Sequence, residues 1–287
     1  MTYPAQGYGT YGPDPWRQTS WDVRAAGNFI FGGMGGGLIV FTVLAGASGG
    51  ARAALLLAGL ALVGAGLFCV SLELGRPLRA LNVFRNPRTS WMAREAWTSA
   101  LLVPAALATA AGVPGASWLA LALALLFVGC QARLLQAAKG IPAWRAPAVV
   151  PFLVFTGLAE GAGVFFVAAP WHGAATLPLL VAFGVLLLIR IAAWLVYRRR
   201  VAGTIAAGAR AALDAAGRVL QLAGTALPLL LAAAAGFVAN DAVFALAGIA
   251  GLLAALSGAY AKLVLVTRAG WNQGFALPHL PVRGART

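Results

Sequence analysis

The sequence predicts an all-α integral membrane protein with eight transmembrane helices, in two four-helix bundles and with both termini cytoplasmic. Three observations predict it. Of the 287 residues, 61% are hydrophobic and only 10% are charged, with a mean hydropathy of +0.85. Apolar runs of about 20 residues, the length that crosses the hydrocarbon, recur along the chain. The basic residues fall almost wholly between alternate runs. A soluble domain would carry roughly a quarter charged residues, so composition excludes both a water-soluble enzyme and a disordered chain.

Residues 1–24 form a polar, aromatic tail containing Tyr3, Tyr8, Tyr11, Trp16 and Trp21. It lacks the basic start and short apolar core of a cleavable signal, and is expected to pack on a partner or lie at the membrane interface. The expected spans are 28–47, 53–74, 93–113, 115–137, 149–170, 175–197, 219–239 and 243–267. Gly112, Pro114 and Gly115 make a turn between the third and fourth. Pro142 and Pro147 precede the fifth, and Asn240-Asp241 separates the last two. Pro104 and Pro228 fall inside spans and are expected to bend them. Residues 25–138 then make a first bundle, 139–148 a connector, 149–269 a second bundle and 270–287 a tail. The Ala- and Gly-rich stretch 201–217, with Arg210 and Asp214, reads as a cytoplasmic surface helix.

The net charge of +14 comes from 21 Lys and Arg against 7 Asp and Glu. In a soluble protein this would suggest nucleic acid. Here the basic residues lie between apolar runs, so the expected surroundings are membrane lipid, with no nucleic-acid partner. On the expected spans, Arg52 alone falls on one side and the other 20 basic residues on the opposite side. That asymmetry places the arginine-bearing side in the cytoplasm.

Polar residues within the spans are few. Cys69 and Cys130 lie in apolar stretches without metal-ligand spacing, and read as small buried hydrophobes. His172 and His279 fall in loop and tail, so no pair is placed for axial haem ligation inside a bundle. Gly32–Gly37 (GGMGGG) has small-xxx-small spacing, read as close helix packing, with room for a flat ligand as the alternative.

Asn28, Glu73, Glu95, Gln131 and Arg133 come from four different spans, yet all fall near their cytoplasmic ends. Trp91, Phe31 and Phe68 would wall a polar pocket there, next to Arg94. Such a pocket suits an amphipathic headgroup on a lipid-soluble tail, and a quinone needs both hydrogen-bond donors and proton carriers. The alternative is interfacial salt bridging, with Glu73 on Arg76 and Glu95 on a loop arginine. Glu160, near the middle of the fifth span, and Arg190, about 10 Å inside the sixth, are expected to form a structural pair. A proton path is the alternative reading.

The segment Leu72-Glu-Leu-Gly-Arg-Pro-Leu-Arg-Ala-Leu-Asn82, followed by Thr89-Ser-Trp-Met-Ala-Arg-Glu95, resembles the NrfD/DmsC superfamily, the membrane-anchor subunits of dimethyl sulfoxide reductase-type complexes. There the pattern runs close to H-L-G-x-P-x-R-A-x-N and then S-x-L-S-x-E. The resemblance covers this helix–loop–helix closely and the eight-span plan coarsely. The opening Trp21-Asp-Val-Arg-Ala-Ala-Gly-Asn28 resembles, more weakly, anchors associated with phenylacetyl-CoA:acceptor oxidoreductases.

The resemblance implies a three-subunit respiratory complex in a bacterial cell inner membrane. A molybdenum bis-pterin catalytic subunit would pass electrons through a four-cluster iron–sulfur subunit, docked on the cytoplasmic basic face. The anchor, without haem, would exchange them with ubiquinone or menaquinone. It further implies that Glu95 is the acidic site residue and that Arg76, Arg79 and Asn82 are the loop residues of the quinone site. Glu73 stands where the family pattern has histidine. Two other readings are a secondary transporter with a Glu160/Arg190 midplane site and a passive anchor without quinone chemistry.

Overall fold

The computed structural model describes residues 13–73, 77–238 and 240–275, and among these residues there are helices and no strands. Eight long helices follow one another: α1 Val23–Leu44, α2 Gly49–Ser71, α3 Trp91–Ala110, α4 Ala116–Ala137, α5 Val149–Val167, α6 Leu177–Val201, α7 Ala207–Ala235 and α8 Ala242–Thr267. Seven are long and apolar enough to cross a membrane, and α3 is the exception. Its 20 residues carry Arg94, Glu95, Thr98 and Ser99 in the first half, which lowers its hydropathy below that of its neighbours. The same residues build the candidate site described below.

Local chemistry explains the boundaries. Asp22 caps α1 by accepting from the Arg24 N–H at 2.7 Å, and Ser90 caps α3 by accepting from the Ala93 N–H at 3.3 Å. Between α3 and α4, Gly112 and Gly115 adopt φ +84° and +77°, a left-handed conformation that glycine takes at no steric cost. Pro77–Arg85 forms a 3-10 helix between α2 and α3. Two π turns interrupt otherwise regular helices, at Asn28–Gly32 in α1 and Leu222–Ala226 in α7. The stretch 207–221 is the start of α7 and runs through the second π turn into Leu227–Ala235. Its Leu213 and Leu220 are fully buried, and Gly217 lies against the Trp194 ring.

The two groups of four helices expected from the sequence do not stand apart. Helix α1 packs extensively along α5, across that division. Gly33 and Gly37 of α1 meet Gly157 and Gly161 of α5 backbone to backbone, where a methyl group on any of the four would press on the facing helix or the Lys262 ammonium. Gly35 lies against α2 at Gly59 and Val63, and Gly36 against α4 at Val128. The GGMGGG segment is thus filled by neighbouring helices on three sides. Gly163 and Gly251 repeat the close approach between α5 and α8, which leaves α5 at the centre. Outward faces are apolar: Leu107, Trp118, Leu126, Val185, Leu188 and Leu230 are exposed. In water such a surface would be costly, and in lipid it is matched.

The two described end segments lie together. The Gln18 N–H donates to the Gly270 carbonyl, the Asn272 N–H to the Trp16 carbonyl and the Phe275 N–H to the Pro13 carbonyl, each at 2.8 Å. Trp21 stacks on Trp144 with ring centroids 5.0 Å apart, which ties this layer to the connector before α5.

Candidate functional site

Three polar side chains from three helices meet in one buried cluster. The Asn28 amide, on the π turn of α1, donates to Glu95 Oε1 at 3.1 Å, and Gln131 Nε2 of α4 donates to the same oxygen at 3.0 Å. Gln131 Nε2 also donates to the Asn28 backbone carbonyl at 2.9 Å. Exposures are 2%, 4% and 3% for Asn28, Glu95 and Gln131. Local sequence explains each position. Glu95 projects from the first turns of α3. Gln131 projects from the last turns of α4, where Gly32 leaves the space that its side chain fills. Asn28 opens the π turn of α1, and its carbonyl accepts from Gln131 Nε2.

Among the described residues Glu95 forms no ion pair; both amide donors meet Oε1, and no side-chain donor meets Oε2. A carboxyl group held this way, away from water and from any cation, can keep or release a proton according to what approaches it. Asn28 Nδ2 carries a second N–H, a donor in reserve.

Trp91, Arg94 and Arg133 form a second group. The guanidinium carbons of Arg94 and Arg133 lie 4.1 and 5.0 Å from the Trp91 ring centroid. Arg94 also donates to the Pro87 and Arg88 carbonyls at 2.7 and 2.6 Å, which pins the loop before α3. Arg133 is exposed and donates to Gln136 at 2.6 Å.

Glu73 lies beyond the end of α2, with Asp22 and Arg24 near it. Burial pushes its carboxyl above the usual carboxylate range, Asp22 pushes it further, and Arg24 pulls it back. Among the described residues it makes no bond to the Glu95 cluster. Asn82 is exposed on the 3-10 helix. The backbone of Arg79 lies in that helix, its side chain is outside what the structure describes, and Arg76 lies outside the described residues altogether. Phe31 and Phe68 are 37% and 63% exposed.

A second buried cluster is built on Glu160 of α5, and Lys262 of α8 is the partner that the sequence did not reveal. Lys262 Nζ donates to Glu160 Oε2 at 2.6 Å and to the Phe29 carbonyl at 2.8 Å. The two side chains, Lys262 and Glu160, are 1% and 0% exposed. Arg190, placed with Glu160 by the sequence, instead donates to the Ala254 carbonyl at 2.9 Å and to the Gly224 carbonyl in the π turn of α7. Glu160 Oε1 and Arg190 Nε have no hydrogen-bond partner among the described residues. The sequence signal for Lys262 was its depth: it lies five residues before the end of α8, with apolar neighbours on both sides. Counted only as a basic residue near a helix end, it reads as part of the flanking charge.

His172 lies in the loop between α5 and α6, where Nε2 meets the Phe165 carbonyl at 3.0 Å and Nδ1 accepts from the Ala174 N–H at 3.2 Å. Among the described residues no three His, Cys, Asp or Glu side chains gather as a metal site. No protein-family model matches the chain, and no curated protein matches it.

Proposed function

We propose that the chain is the membrane-anchor, quinone-reactive subunit of a molybdenum/iron–sulfur oxidoreductase, with eight spans and both termini cytoplasmic. The observation that carries the reading is the meeting of Asn28, Glu95 and Gln131 in one buried hydrogen-bonded cluster. The paired end segments support termini on one side. The surplus of arginine supports a basic docking face for an acidic iron–sulfur subunit.

The residues present fit a quinone by type. A bound quinone would supply a two-electron, two-proton acceptor, and this chain would hold the protons and orient a carbonyl. Glu95 is the proton carrier. Asn28 and Gln131 hold its carboxyl group, and the spare Asn28 N–H can donate to a carbonyl. Because the three groups are closed to solvent, a ring reaches them by displacing a neighbour. Electrons would arrive from the iron–sulfur subunit, and the molybdenum centre would sit in the catalytic subunit beyond it.

The buried Glu160–Lys262 pair beside Arg190 favours a second reading, a secondary transporter with a charged midplane site. Purification from the native membrane separates the two. An anchor brings two large soluble subunits and binds a hydroxyquinoline N-oxide quinol-site inhibitor. A transporter comes alone or as a homo-oligomer and moves a solute when reconstituted. Co-purified subunits without inhibitor binding would leave a passive anchor and overturn the quinone reading.

A further inference from the structure

A cavity of about 680 Å³ lies between the connector before α5 and the end of α6, and is lined by Arg145, Pro147, Pro151, Val196, Arg200 and Thr204 among others. Its walls are held from behind. The Tyr197 hydroxyl donates to the Ala143 carbonyl at 3.0 Å, and Trp144 Nε1 donates to the Leu265 carbonyl at 2.9 Å. Both bonds are buried, so the connector is fixed to α6 and α8 and the hollow does not depend on a ligand to form. Arg145 Nη2 donates to Gln273 Oε1 at 3.2 Å, which orients that guanidinium at the rim.

Two features define what fits. Arg145 and Arg200 are exposed, and no acidic side chain lines the cavity among the described residues. The neighbouring Arg198, by contrast, is paired with Asp214. Next to the hollow the outer face of α6 is apolar: Val185, Leu188, Leu195 and Val196 are exposed along successive turns. A cationic hollow at the end of a lipid-facing stripe offers a phosphate two guanidinium groups and gives attached acyl chains an apolar track.

We propose that this cavity binds the headgroup of an anionic glycerophospholipid, with its phosphate between Arg145 and Arg200 and its chains along α6. The proposal is independent of the redox reading.

The test uses the full chain, with any co-purifying subunits, in mild detergent. Native mass spectrometry measures retention of phosphatidylglycerol against phosphatidylcholine. The wild type is expected to prefer phosphatidylglycerol on the order of tenfold, as two surface arginines imply. R145Q/R200Q is expected to lose that preference while keeping its helical circular dichroism. R200Q alone changes only an exposed side chain, so it carries the test if the double variant is unstable, and it is expected to weaken the preference. R85Q/R88Q removes the same charge from the loop before α3 and is expected to leave the preference intact.

Equal retention of the two lipids by the wild type would overturn the proposal, and so would an unchanged preference in R145Q/R200Q. Loss of preference in R85Q/R88Q would assign the effect to overall charge and also overturn it. Inorganic phosphate that stabilises the protein as strongly as phosphatidylglycerol, with no lipid retained, would make this a free-anion site instead.

Discussion

Lys262 and Gln131 reach adjacent carbonyls of the same π turn: Lys262 Nζ donates to Phe29 and Gln131 Nε2 to Asn28, at 2.8 and 2.9 Å. One irregular turn of α1 therefore ties the Glu160 cluster to the Glu95 cluster. Glu160 bonds the same Lys262, and Glu95 bonds the same Gln131. The two clusters are thus expected to be energetically coupled. A double-mutant cycle of Q131L and K262M should give an interaction energy of about 0.5–3 kcal/mol in detergent unfolding. The control pair K262M and W97F should be additive, since Trp97 bonds the distant Phe84 carbonyl. Additivity in both cycles would mean that the turn transmits nothing.

The Glu160–Lys262 pair should be worth more broken than removed. Taking away one member leaves an uncompensated buried charge, at a cost of about 3–5 kcal/mol. E160Q and K262M are each expected to lower the thermal midpoint strongly, and E160Q/K262M to recover part of the loss. A double variant as unstable as the sum of the singles would show that the two side chains do not depend on each other.

The α1–α5 seam should tolerate no side chain. At Gly161 an added methyl meets backbone atoms of Gly37 and Leu38, whereas at Gly64 nothing lies within 4 Å. G161A should destabilise by about 1–3 kcal/mol, the usual cost of overpacking, and G64A should be near neutral. Equal midpoints for the two would place the seam elsewhere.

Glu73 gives a pH signature of known sign. Its carboxyl is raised, chiefly by burial, so its contribution is fully present below the unfolded-state value of a glutamate. That contribution is lost as pH rises through the folded-state value. Thermal midpoints of the wild type should therefore fall relative to E73Q across that window and run parallel above it. Parallel profiles throughout would leave Glu73 without a role in the pH response.

Much of the fold was legible because membrane spans announce themselves by length and apolarity. Each expected run overlaps one observed helix, and Gly112 and Gly115 mark their turn in both sequence and structure. Helix α3 is less apolar than the other spans, because Arg94 and Glu95 occupy its first turns. The meeting of Asn28, Glu95 and Gln131 followed from shared depth alone. Glu73 does not join them, because shared depth does not fix direction around a helix axis. The π turns were not legible, since no local residue type demands them. Side chains of other helices bond carbonyls in both turns, Lys262 and Gln131 in the first and Arg190 in the second.

On the proposed function Glu95 carries protons for a membrane quinone, and E95Q removes that carrier. Quinone-linked turnover of the assembled complex is measured beside electron delivery from the same catalytic subunit to a soluble dye. Loss of a positioned proton carrier should lower the first by about 10²–10⁴-fold. Assembly and dye reduction should be unchanged, since the carboxamide oxygen introduced by E95Q can still accept from the Asn28 and Gln131 amides. Quinone turnover equal to that of the wild type would show that Glu95 carries no proton in the reaction.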